Sequence, residues 1–112
     1  MDTTLIAKSK ILTLTDAIDY IPHSIVSKTL IKKPTGDINI MSFDKGESRP
    51  KTTSAFDFFV LVIDGSAEII IGGISSFIKA GQVIIAPAHV PHEIKSNERF
   101  TILSVVVKSG YE

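Results

Sequence analysis

Between Phe56 and His92 the chain is a series of apolar runs, four to eight residues each, cut by glycine and proline. Phe56 to Ile63 ends at Asp64-Gly65, and Ala67 to Ile71 ends at Gly72-Gly73. Ile74 to Ile78 then stops at Lys79-Ala80-Gly81-Gln82, and Val83 to Ala86 enters a loop held between Pro87 and Pro91. Runs this short do not make core helices, and their enrichment in Val, Ile and Phe suits a pleated, packed surface. A two-residue type I′ turn needs positive φ at both central positions, which glycine adopts without steric cost. Gly72-Gly73 therefore predicts a tight hairpin, and Asp64-Gly65 predicts another. Strands at intervals of about 8–12 residues with turns between them indicate an all-β sandwich or barrel, not a parallel α/β sheet.

The flanking chain extends the pattern. Ile25, Ser27, Thr29 and Ile31 alternate with Val26, Lys28, Leu30 and Lys32, the period-two signature of a strand. Lys33-Pro34-Thr35-Gly36-Asp37 reads as a turn, Asp37 to Phe43 as the next strand, and the polar stretch after Asp44-Lys45-Gly46-Glu47, as far as Ser54, as a loop. His92 to Lys95 and Phe100 to Val107 complete the strands. Thr13 to Tyr20 predicts one short helix, with Thr13 as its N-cap and Pro22 closing it. Thr4 to Ile6 reads as a strand fragment tied to a sheet edge or to a partner chain.

Composition excludes several functions. Twelve basic and twelve acidic side chains cancel, leaving no long-range field to draw in nucleic acid or anionic lipid. The small basic cluster of Lys28, Lys32 and Lys33 has no interleaved aromatics for base stacking, so no nucleic-acid partner is expected. Cysteine is absent, which removes disulfides, thiolate metal sites and thiol nucleophiles. The longest apolar run, Phe58 to Ile63, is far below the roughly 20 residues of a membrane helix, and Asp2, Lys8 and Lys10 interrupt any signal-peptide core. A cytoplasmic protein with no membrane partner is expected. The 112 residues are expected to form one domain, with a barrel core over about 39–107 and an N-terminal arm over 1–23.

Two spacings then carry a resemblance. Gly46 and Gly65 stand at the ends of a pattern that reads G, five residues, HxH, three residues, E, six residues, G; Gly81, Pro87 and His92 keep register with G, five residues, PxG, two residues, H, three residues, N. Over about Asn39 to Val107 the chain resembles the cupin family of small barrels. The resemblance implies a single cupin-type double-stranded β-helix, a jelly-roll barrel, here with one short N-terminal helix. In metal-binding cupins the two histidines and glutamate of the first motif and the histidine of the second hold one divalent ion, with imidazole and carboxylate suiting Fe, Zn, Mn or Ni. This chain has Thr52, Ser54 and Phe58 at the first three positions and keeps only His92. Its inner glycine is His89 and its final Asn is Ser96. No metal or other cofactor is therefore expected. A rebuilt metal set would have to come from His92, His89 and Asp57, although strand alternation points Asp57 away from the Phe58 face.

The resemblance further implies a cavity lined by Phe58, Val60, His92 and Ile94, with Thr52 and Ser54 at its rim and Met41 or Phe43 beside them. The expected function is binding of a small, partly apolar molecule in that cavity without a full metal-ligand set. The alternative is a metal-dependent enzyme of dioxygenase, isomerase or decarboxylase type, centred on His92. Both faces of Phe58 to Ile63 and of Phe100 to Val107 are apolar, whereas a small barrel buries only one; a second sheet or the N-terminal segment would cover the outer face, and a homodimer doing so is the expected reading.

Overall fold

The computed structural model describes residues 8–108, so the strand fragment expected at Thr4–Ile6 lies outside the described residues. Among the described residues eight strands follow one another: β1 (Ile25–Lys33), β2 (Gly36–Phe43), β3 (Ser48–Thr52), β4 (Phe58–Ile71), β5 (Ile74–Lys79), β6 (Val83–Ala86), β7 (His92–Lys95) and β8 (Phe100–Val107). Every ladder is antiparallel. The strands form one curled sheet in the order β1-β2-β8-β4-β7-β3, with β5 and β6 also paired to β4. The chain is all-β, and this curled, β4-centred arrangement fits the expected barrel.

β4 departs from the expected hairpin. Asp64-Gly65 does not turn the chain back; β4 runs straight through it for 14 residues. Its first half pairs with β6 and β8, and its second half with β5 and β7. Phe58, Val60 and Val62 are buried before the glycine, and Ala67 and Ile69 after it, so the inward positions change from even to odd. A register shift between Val62 and Asp64 inserts the extra residue that makes this change. Without it, one half of β4 would turn its apolar side chains to solvent. Gly65 adopts φ 77°, inside the region that a β-carbon disfavours. The Gly72-Gly73 hairpin forms as expected, with φ of 56° and 82° and Ile71 opposite Ile74.

Two other expectations are corrected. The polar stretch Ser48–Thr52 is a strand, β3, paired with β7 at the open edge of its sheet, where Pro50 is tolerated. The helix over Thr13–Tyr20 is only a 3-10 turn, Leu14–Asp16, and Thr13 makes no side-chain cap. One turn of helix fixes several dihedrals for each hydrogen bond, and eight residues rich in Thr and Asp do not recover that cost. Packing holds this arm instead. Ala17 and Ile18 are buried on Ile40, with Leu14, Val26, Leu30 and Ile63 around them. Lys28 Nζ donates to the Ala17 carbonyl at 2.8 Å and Ser42 Oγ to the Asp19 carbonyl at 2.7 Å. The arm thus covers part of the outer face of β4 and β2. Val83, Ile85 and Val107 stay exposed.

The main core lies between the two halves of the curled sheet. Phe43 and Phe100 are fully buried and stack with ring centroids 4.5 Å apart; Val60, Val62, Ile69, Ile94 and Ile102 surround them.

Candidate functional site

At one end of the barrel the inward rows of β1, β2, β8, β4 and β3 are not closed by core side chains. Ser27 lies opposite Met41 and Met41 opposite Ile102; Asn39 is opposite Ser104, and Asp37 and Phe58 are both opposite Val106. Directly opposed residues in an antiparallel pair project to the same face. These rows therefore converge, with Arg49, Ser54, Phe56 and Lys108, on a cavity of about 370 Å³. That is within the usual range of roughly 300–1,000 Å³ for small-molecule sites.

The polar lining is wired on one side. Thr29 Oγ1 donates to Asn39 Oδ1, Asn39 Nδ2 donates to Asp37 Oδ1, both at 2.8 Å, and Lys108 Nζ faces Asp37 Oδ2 at 3.6 Å. Lys108 also lies 6.0 Å from the centre of the Phe56 ring. On the other side the Arg49 guanidinium sits over the Phe58 ring at 5.4 Å. Ser104, 2% exposed, lies between the two sides. Arg49 reaches this cavity through an irregularity in β3. It is opposite Ile94, and Thr52 is opposite His92, so three steps along β3 match two along β7. The extra residue puts Arg49 and Thr52 on one face although their odd spacing would separate them.

His92 is 3% exposed, and its ring stacks on Phe58 with centroids 5.2 Å apart. It lines a second cleft, of about 420 Å³, with Lys51, Ile70, Gly72, Gly73, Pro91 and Glu93, and not the first cavity. Phe58 lines the first hollow and His92 the second. The imidazole Nδ1 is buried without a hydrogen-bond partner. Burial lowers the pKa of His92 from its ordinary value; a hydrogen bond to the Val90 backbone opposes that shift, and nearby Arg49 adds to it. The folded chain therefore prefers the neutral ring. The stability this contributes is fully present above pH 6.5, where the unfolded chain is also neutral, and is lost as pH falls below that value, because the unfolded state takes up the proton first. The urea midpoint is expected to fall between pH 7.5 and 5, and a His92→Gln variant to lose that part of the slope. Asp44, held down to about 2 by the Arg99 guanidinium, acts in a separate window below 3.8.

Of the residues expected at the cavity, Met41, Ser54 and Phe58 line it, whereas His92 lines the second cleft instead. Val60 and Ile94 do not: they are sealed in the core, because β4 and β7 pack their inward side chains against Phe43 and Phe100. Thr52 is exposed at the end of β3. Ser54 is half-buried, its Oγ accepting from the Phe56 N–H at 3.0 Å and its carbonyl from the His89 N–H at 2.7 Å. The cavity is also more polar than expected, because Arg49, Asn39, Asp37 and Lys108 were not anticipated there. The alternation of Asp37, Asn39 and Met41 along one strand was a signal for the β2 residues; nothing in the sequence marked the β3 irregularity that brings in Arg49.

The rebuilt metal set does not assemble. Asp57 is exposed and its Oδ1 accepts from the Ala88 N–H at 2.8 Å, holding the loop rather than facing His92. His89 is also exposed, at φ 67°, a left-handed conformation where the family pattern places glycine. Among the described residues no group of three or more His, Asp or Glu side chains is placed to hold a metal ion. The donors present do not fit the ion of metal-binding cupins, since the Phe58 ring presses against the one remaining imidazole.

The comparisons agree with this architecture. Residues 39–106 match the family model described as the cupin domain. A conserved protein of unknown function from Streptococcus pyogenes is 34% identical, with a TM-score of 0.87 over 92% of this chain and 90% of that one. A cupin 2 conserved barrel domain protein from Leptotrichia buccalis is 35% identical, with a TM-score of 0.84 over 87% of this chain, but the match spans only 47% of that longer protein. A cupin superfamily protein from Desulfitobacterium hafniense, 23% identical with a TM-score of 0.86 over 96% of this chain and 98% of that one, shares the fold. No curated protein matches the chain. With the family model covering more than half of the residues, and β4 to β8 laid out as that family's motif spacing implies, the chain belongs to the cupin domain family.

Proposed function

We propose that this cupin is a binding barrel: it takes up a small, partly apolar molecule in the cavity over Phe58 and does so without a divalent ion at the family's metal position. The observation that carries the reading is the replacement of the metal locus by a packed ring. Phe58 stacks on His92, and the Arg49 guanidinium also lies over its ring. The space left beyond it is lined by Met41, Phe56 and Val106 together with serine, asparagine and charged groups, a mixture that buries an apolar body and orients a polar end.

A saturation-transfer NMR screen with a library of metabolite-sized compounds tests the proposal. Compounds are expected to bind the natural protein and to lose binding in Ser27→Trp, which plugs the cavity from the exposed β1 edge. Binding that survives the plug, or a library in which nothing binds, counts against it. Elemental analysis of untagged protein is expected to show no stoichiometric metal.

A further inference from the structure

We infer that the molecule this cavity takes carries one carboxylate, seated against Arg49; the inference rests on the Phe58 cavity being the binding site. Two cations, Arg49 and Lys108, and one carboxylate, Asp37, line the cavity. Asp37 is already engaged on both oxygens, by Asn39 and by Lys108. The lining therefore holds one positive charge in excess, and it is on Arg49. Among the described residues Arg49 forms no ion pair, and its guanidinium lies over the Phe58 ring. A guanidinium cannot be neutralised at ordinary pH and presents its donors as a planar fork matched to a carboxylate. Lying over the aromatic face leaves the edge of that fork open for bidentate pairing.

The excess of a single charge selects a monoanion over a phosphate monoester, whose second charge would enter a half-enclosed site uncompensated. Phe58, Met41 and Val106 then accept an apolar body next to the carboxylate, and the buried Ser104 hydroxyl supplies a further polar contact.

The test uses two matched probe pairs, benzoate with benzamide and hexanoate with hexanamide, followed by two-dimensional amide NMR on the full chain. The acids are expected to bind about tenfold or more tightly than their amides, the scale of a charge-assisted hydrogen bond. Arg49→Met, which keeps the length of the side chain, should bring that ratio close to one while amide binding persists; Arg49→Lys should recover part of it. Acids and amides binding equally to the natural protein would overturn the inference and leave the binding barrel standing. Preference for acids that survives Arg49→Met would move the anion to Lys108 and overturn the assignment. If neither member of either pair perturbs the cavity resonances, the reading of the cavity as a binding site fails and the inference falls with it.

Discussion

Gly65→Ala is expected to lower the stability of the fold by about 3 kcal/mol, the sum of a left-handed backbone penalty of roughly 1–2 kcal/mol and an overpacking cost of about 1–3 kcal/mol. A β-carbon at this position would lie 2.2 Å from the Arg99 carbonyl oxygen and 3.0 Å from Phe100 Cα. Both are backbone atoms of the turn into β8 and its first residue, so relief requires β4 and β8 to separate. Gly65 and Phe100 are paired in that ladder, and the Phe100 ring is half of the central aromatic stack. The effect should thus spread beyond the bulge. Gly73→Ala is the matched control: φ is 82°, and nothing stands within 4 Å of the added carbon. It should cost only the backbone penalty, roughly 1 kcal/mol. Urea unfolding of the two variants beside the natural protein separates the contributions; equal losses would mean that β8 gives way easily at Arg99.

The contrast between these two glycines also shows how far the fold could be read from sequence. Gly72-Gly73 was legible because both of its residues need positive φ and the apolar runs on each side are of similar length. Asp64-Gly65 has the same local chemistry, yet the chain continues through it. The deciding fact is the change of inward parity between Val62 and Ala67, which matters only when both halves of β4 share one interior. That is a tertiary constraint, and a local pattern does not carry it. The 3-10 turn and β3 are similar cases. The arm at Leu14–Ile18 follows the contour of Ile40 and Ile63 instead of its own propensity, and Ser48–Thr52 becomes a strand because β7 presents a free edge. At the site, the positions of Phe58 and Met41 followed from motif register and strand alternation. The polarity of the cavity did not, since Arg49 enters through an irregular ladder and Lys108 lies just past the end of β8.

Phe58→Ala is expected to cost about 3–5 kcal/mol, the range for removing a buried aromatic side chain. Phe58 is 6% exposed and belongs to the main core cluster. Its loss removes the stacking partner of His92 and the surface on which Arg49 lies, and it opens the cavity toward the barrel interior. With the ring gone, the imidazole is less desolvated, so the pKa of His92 should rise back toward 6.5. The fall in stability below that pH should become shallower, because the folded and unfolded states then bind the proton at closer pH values. Phe58→Leu, which keeps much of the apolar volume, should cost less than half as much and keep more of the depressed histidine pKa. Urea titrations at pH 7.5 and 5.5, with histidine resonances followed by NMR, read both effects. In metal-binding cupins the equivalent position supplies a carboxylate to the ion; here the same position supplies a ring that shields the surviving histidine and supports an arginine. If Phe58→Ala were nearly neutral, that ring would not be part of the core, and the proposed binding barrel without a divalent ion would lose its support.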